Sequence, residues 1–151
     1  MKYGREISAG GVLYRQADGA YQVALIKLKN GTVNALPKGL VNRGERAEDA
    51  ARREVSEETG MSGEVEAPLG SIDYYYYSRD RDTRFYKTVY FFLLRYLSGS
   101  ESDHDWEVEG VSWVPAEEAR RLLSYKGERE VMDRALEVLR EKAAGNSAAK
   151  G

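Results

Sequence analysis

The sequence of 151 residues has no cysteine, a single histidine and three prolines. Without cysteine there is no disulfide framework, no zinc–thiolate centre and no thiol nucleophile. Long apolar runs are missing as well: no stretch approaches the ~20 residues that a membrane span needs. The opening segment MKYGREISAGG lacks the apolar core of a secretory signal. Basic charge is not in surplus. The net charge is -2, which argues against a general nucleic-acid binder. Together these absences predict a soluble cytoplasmic protein with no membrane role.

What is present is ordinary globular material, 42% apolar and 32% charged, enough for one domain with its own core. The domain is expected over residues 1–143, followed by a structureless tail at 144–151. Ser8 to Tyr14 and Tyr21 to Lys29 read as strands around a turn at Asp18-Gly19. Thr32 to Leu36 reads as a short strand, and Pro37-Lys38-Gly39 as irregular backbone. Arg46 to Thr59 fits a helix stopped by Gly60. Two long strands, Glu64 to Tyr77 and Phe85 to Tyr96, are joined by the loop SRDRDT. Glu107 to Val114 reads as a further strand. Pro115 opens a short helix to Leu123, and an amphipathic helix runs from Glu128 to about Ala143. Strands with a few helices inserted predict an α+β or layered domain. Tyrosine is plentiful, with 11 residues, four of them consecutive at Tyr74–Tyr77.

The stretch GLVNRGERAEDAARREVSEETGM, Gly39 to Met61, is the densest in charge. On a helical wheel started at Ala47, Ala50, Ala51 and Val55 lie within roughly 80° of the origin and define the inward stripe. Glu54 and Glu58 fall inside it, about 20° to either side, and Glu57 lies at its edge. Three carboxylates on one face, at the negative end of a helix dipole, repel one another. Burying them costs several kcal/mol each unless a cation compensates. A hard divalent cation with oxygen ligands, Mg²⁺ or Mn²⁺, is the natural solution. The competing reading is a solvated acidic helix with pairs such as Arg53 and Glu57.

The spacing decides between them. Gly39, five residues, Glu45, seven residues, then Arg53-Glu54-Val55-Ser56-Glu57-Glu58-Thr59-Gly60-Met61 resembles the signature box of the Nudix hydrolases at every defining position. The resemblance covers about Ser8 to Ala143. It implies an α/β/α sandwich with a mixed β-sheet between helices, and hydrolysis of phosphoanhydrides with bound Mg²⁺ or Mn²⁺. By resemblance Glu57 and Glu58 are metal ligands, Glu54 is a third ligand or the general base, and the carbonyl of Gly39 joins the metal site. Arg53 orients the glutamates and Glu45 ties down the loop. A further acid outside the box is expected at Glu107, with Glu109 as the fallback.

Substrate clues lie outside the box. ALPKG resembles the lead-in of the diadenosine polyphosphate hydrolase branch, and FYKTVYFFLL resembles that branch's KTV strand. The likeness makes Lys38 and Lys87 phosphate contacts, and Tyr76 with Tyr125 a sandwich for an adenine. The alternative for these tyrosines is sheet and helix packing. GLVNRGE departs from the GHxEPGE-like loop of that branch, leaving the metal box intact but loosening the link to one substrate. The sole histidine, His104, reads as a loop residue in solvent. The leading expectation is asymmetric hydrolysis of diadenosine tetraphosphate to ATP and AMP. Alternatives are a nucleoside triphosphate pyrophosphohydrolase acting on oxidised nucleotides and an RNA 5′-pyrophosphohydrolase, which would admit capped or triphosphorylated RNA. A non-catalytic nucleotide-binding module would come with a broken glutamate set, and here the set is complete.

Overall fold

A tight turn starts the architecture. Asp18 and Gly19 both have positive φ, 52° and 79°, the conformation that matches the twist of a two-residue hairpin. It joins β1 (Lys2–Ala17) to β2 (Ala20–Leu28) with Ala17 opposite Ala20. The computed structural model describes the backbone of residues 1–150 and the side chains of residues 1–145. β3 (Val33–Ala35), β4 (Lys38–Leu40), α1 (Ala47–Thr59), β5 (Met61–Ser78) and β6 (Thr83–Gly99) follow. A single 3₁₀ turn, Glu101–Asp103, precedes β7 (Gly110–Pro115), α2 (Ala116–Leu122) and α3 (Lys126–Lys150).

The strands form one mixed seven-stranded sheet in the order β3-β2-β1-β6-β5, with β4 pairing to β1 and β7 to β2. β1 runs parallel to β6 over thirteen consecutive pairs, Lys2 with Thr83 through Tyr14 with Arg95. Helices cover both faces. α2 and α3 bury Ala119, Leu123, Val131, Met132, Ala135 and Leu139 against Val12, Val23, Val89, Phe91 and Leu93. On the other face α1 buries Val55 against Leu13 and Leu94, and Ala50 and Ala51 against Ala9. Each large aliphatic side chain buried in this way contributes about 1.5–3 kcal/mol. This is the expected sandwich.

Several boundaries differ from the sequence expectations. β1 begins at Lys2 rather than Ser8, because the parallel ladder to β6 recruits MKYGREI. Lys38-Gly39 is not irregular: β4 pairs with β1, Ala9 opposite Gly39 and Gly10 opposite Lys38. β7 starts at Gly110, so Glu107 lies in a loop, which is closed by the Glu109 N–H donating to the Lys27 carbonyl at 2.9 Å. α3 runs through residue 144 instead of stopping at Ala143, so the predicted structureless tail does not begin there. The side chains of residues 146–150 and all of Gly151 lie outside the described residues.

Candidate active site

α1 starts after a loop that its own arginine ties down. Arg53 donates from Nε and Nη2 to both oxygens of Glu45, at 3.0 and 2.9 Å, and from Nη2 to the Leu40 carbonyl at 2.9 Å. Its Nη1 donates to Glu54 at 2.7 Å and reaches Glu57 at 3.4 Å. Such a two-pronged arginine–carboxylate pair fixes direction as well as distance. The Glu45 carboxyl is held down at about 2, first by the Arg53 hydrogen bond and next by the Asn42 N–H. Arg53 and Glu45 thus work as a pair. They clamp the loop and aim the glutamates.

The glutamates distribute as the wheel predicts. Glu54 is largely buried, and Glu57 is half exposed at the rim. Glu54 packs onto Gly39 so closely that a Cβ there would lie 2.1 Å from the carboxylate. A side chain at position 39 would have to displace the Glu54 carboxylate from this place against β4. Glu58 accepts the backbone N–H of Lys38 at 2.6 Å. Burial pushes the Glu58 carboxyl up to about 8, against that hydrogen bond, with the charges of Glu54 and Asp105 adding to the rise. Glu54 is raised too, by burial first and against its bond to Arg53, with Glu57 and Asp105 pushing the same way.

Buried carboxylates raised in this manner hold their charge only beside a compensating cation. The donors are all hard oxygens, three carboxylates and the carbonyl of Gly39, the set that suits Mg²⁺ or Mn²⁺. Among the described residues no three acidic or histidine side chains are already gathered around a metal position. Arg53 holds two of the three carboxylates in its own hydrogen bonds. In chemistry the set fits the ion.

The additional acid at this cluster is Asp105, not Glu107. Asp105 donates its backbone N–H to the Glu57 carbonyl at 3.0 Å, and its charge bears on both Glu54 and Glu58. Glu107 is exposed on the loop beyond, its N–H bonded to Asp105 at 3.1 Å. Glu109 has a structural part, accepting the Gly31 N–H at 2.8 Å and closing the β2–β3 turn. His104 is half-buried rather than free in solvent, with Nδ1 2.7 Å from the Asp105 carbonyl.

The two lysines lie on β4 and β6. Lys38 Nζ meets Glu128 at 2.6 Å, and Glu128 is only 1% exposed. The same carboxylate accepts the Leu36 N–H at 2.8 Å, so one side chain of α3 straps down the segment Leu36-Pro37-Lys38. Burial alone would push the Lys38 ammonium down; the charge and hydrogen bond of Glu128 outweigh it and raise it. Lys87, on β6 between Glu6 of β1 and Tyr74 of β5, has no ion-pair partner among the described residues. Its pKa is lowered, by burial first and then by the like charge of Lys38, with Glu6, then Glu58 and Glu54, pulling the other way. The lysines and the glutamates therefore share one field.

Lys38 lies 5.5 Å from the centre of the Tyr125 ring and Lys87 5.8 Å from that of Tyr76. Beyond them opens a cavity of about 460 Å³ lined by Ile72, Tyr74, Tyr76, Tyr125, Gly127 and Glu128, among others. Tyr76 is stacked on Phe85 at 5.4 Å, and its hydroxyl donates to Glu6. Tyr76 and Tyr125 thus both line the cavity, but one face of Tyr76 is already occupied. Tyr74, which shares this face of β5 with Tyr76, joins them. All the tyrosines of this cavity that sit on β5 belong to the face shared by alternate residues.

The chain matches the NUDIX domain family over residues 4–135. It is 40% identical over 145 residues to a protein of Mycobacterium tuberculosis named mutator protein MutT4, covering 92% of this chain and 58% of that protein. It is 31% identical over 136 residues to the 8-oxo-(d)GTP phosphatase of Mycolicibacterium smegmatis, covering 84% and 40% respectively. The chain thus spans about half the length of these curated relatives. Among solved structures it is similar to the C. elegans Ap4A hydrolase in a binary complex, with a TM-score of 0.68 at 19% identity, over 90% of this chain and 98% of that one. That likeness is one of fold.

Proposed function

The chain belongs to the Nudix family, and from that premise we propose that it is a divalent-metal-dependent pyrophosphohydrolase of nucleoside polyphosphates, acting in the cytoplasm. The observation that carries this reading is the line from Glu54 and Glu58, across Lys38 and Lys87, to a cavity walled by tyrosines. Its parts match those of the substrate. Tyrosine faces suit a nucleobase, at about 1–3 kcal/mol per stacked base. The two ammonium groups suit a run of phosphates.

Glu54, Glu57, Glu58 and the Gly39 carbonyl would hold Mg²⁺ or Mn²⁺. A divalent ion there supplies neutralisation of the phosphate charge and an acidified water. Arg53 keeps the carboxylates aimed and does not touch the reacting atoms. Glu54, buried against β4, or Asp105, at the rim, would take the proton of the attacking water. Lys38 and Lys87 neutralise and place the phosphates, which is most of what phosphoanhydride hydrolysis asks of a protein.

For the substrate, the names of two sequence relatives, an 8-oxo-(d)GTP phosphatase and an 8-oxo-dGTP diphosphatase, favour oxidised nucleoside triphosphates, which this chain would cleave to the monophosphate and pyrophosphate. The tyrosine-walled cavity of about 460 Å³ has room for a nucleobase. The second reading is diadenosine tetraphosphate cleaved to ATP and AMP. The ALPKG and KTV segments favour it, since their lysines lie together beside the cavity.

Ion-exchange analysis of products separates the two. The protein is incubated with Mg²⁺ and 8-oxo-dGTP, and in parallel with diadenosine tetraphosphate. Monophosphate and pyrophosphate from the first reaction support the triphosphate reading. ATP plus AMP from the second alone moves the assignment to the dinucleotide. No product from either overturns the catalytic reading.

A further inference from the structure

One face of the sheet remains bare where β1, β6 and β5 extend past α1. The register places three rows of side chains on it: Tyr3, Arg84 and Tyr77; Arg5, Tyr86 and Tyr75; Ile7, Thr88 and Asp73. Alternate residues share a face, so these continue the face that α1 covers at Ala9 and Phe92. Tyr74, Tyr76 and Lys87 point the opposite way, and Tyr74 and Tyr76 line the cavity of the proposed site. Tyr3 is 77% exposed, Tyr75 68% and Tyr77 47%. The three rings alone present on the order of 400 Å², a patch large enough to mark an interaction surface on a soluble protein.

The rows are ordered against one another. Tyr75 and Tyr86 have ring centres 5.0 Å apart, and the Arg5 guanidinium lies 5.1 Å from the centre of the Tyr86 ring. Thr88 donates to Asp73 at 2.7 Å, and the Tyr77 hydroxyl donates to Asp82 at 2.5 Å. The face therefore carries Arg5 and Arg84 together with Asp73 and Asp82. Its charge is balanced.

We propose that this face packs against the same face of a second copy of the chain about a two-fold axis. An isologous contact needs a surface complementary to itself. Two arginines and two aspartates among tyrosines provide one, because each arginine of one copy can meet an aspartate of the other. A polyanion would need a basic excess, which neither this face nor the chain, at -2, provides. Tyrosine and arginine are also the residues that dominate protein–protein contacts. A standard interface takes about 800 Å² from each partner, of which the three tyrosines alone supply about half. The arrangement leaves the tyrosine cavity open on the far side of the sheet.

Sedimentation velocity of the full chain across the micromolar range tests this. The wild type is expected to approach twice the monomer mass as concentration rises. Tyr75→Glu with Tyr77→Glu sets like charges against each other across the axis and should weaken association roughly a hundredfold. Arg84→Glu should do the same from the end of the face. Both residues exchanged in the double variant are exposed and lie outside the proposed site, so its circular dichroism spectrum and hydrolytic rate should match the wild type. A wild type that stays monomeric throughout overturns the proposal, as does a double variant that remains dimeric. Binding of a fluorescein-labelled oligouridylate by the wild type, lost in the double variant, would assign the face to single-stranded nucleic acid instead.

Discussion

The two sides of the proposed site are held together in different ways. On the carboxylate side everything but Asp105 lies between Gly39 and Glu58, and one guanidinium, Arg53, bonds to Glu45, Glu54 and the Leu40 carbonyl. On the lysine and tyrosine side the ties span the chain. Glu128 reaches back about ninety residues to Leu36 and Lys38, and Tyr76 reaches back seventy to Glu6. The first side is a local device carried by one helix and its loop. The second exists only once β1, β5, β6 and α3 have assembled. Damage to the first should therefore register in turnover, and damage to the second in stability and substrate affinity.

The sharpest contrast comes from Glu58→Gln. It should lower kcat by about a thousandfold or more while leaving the melting temperature unchanged or raised, because a buried, crowded carboxylate is removed. A variant with full turnover would take Glu58 out of the metal set. On the other side, Glu128→Ala leaves the Lys38 ammonium buried without its partner and should cost about 3–5 kcal/mol of stability, read by urea denaturation. A loss under 1 kcal/mol would mean that the strap at Leu36-Pro37-Lys38 is not what orders this side. Tyr125→Ala should raise KM about tenfold or more with kcat little changed, from the loss of one stacking face; a fall in kcat at constant KM would instead place Tyr125 in the chemistry.

The smallest effect concerns acid. Glu45 is depressed in the folded state, so its ion pair adds stability above the ordinary carboxylate range. That contribution is lost as pH falls from about 4.5 towards about 2. The melting temperatures of the wild type and Glu45→Gln should differ most near neutrality and converge near pH 2. A constant difference across that range would break the link between Glu45 and Arg53.

The same contrast governs what could be read from the sequence. The α1 stripe placed Glu54 and Glu58 inward and Glu57 at the rim, because helical periodicity is local and the carboxylates obey it. The end of α1 at Gly60 was equally legible, since a left-handed cap with φ of 76° calls for glycine. Glu128 carried the same signal and was missed. It shares a stripe with Val131, Met132, Ala135 and Leu139, a carboxylate among buried apolar residues, just as Glu54 and Glu58 do on α1. Asp105 had no such signal. It sits in an irregular loop, and its place beside Glu57 comes from a backbone hydrogen bond that no spacing encodes. The strand edge at Lys38-Gly39 was hidden for a related reason: Pro37 reads as a breaker, and only the distant β1 supplies the pairing.

The Glu128 strap also has a dynamic consequence. The amide of Leu36 is protected by an acceptor on α3 rather than by a strand neighbour. Its solvent exchange therefore reports the opening of a helix that begins ninety residues later. Any excursion that frays the first turn of α3 releases the Leu36 amide and the Lys38 ammonium together, while β1 and Glu58 still hold the Lys38 backbone, so the Leu36 amide and the start of the last helix form one cooperative unit. The approach to the glutamate helix and the start of the last helix lose or keep their order as a pair.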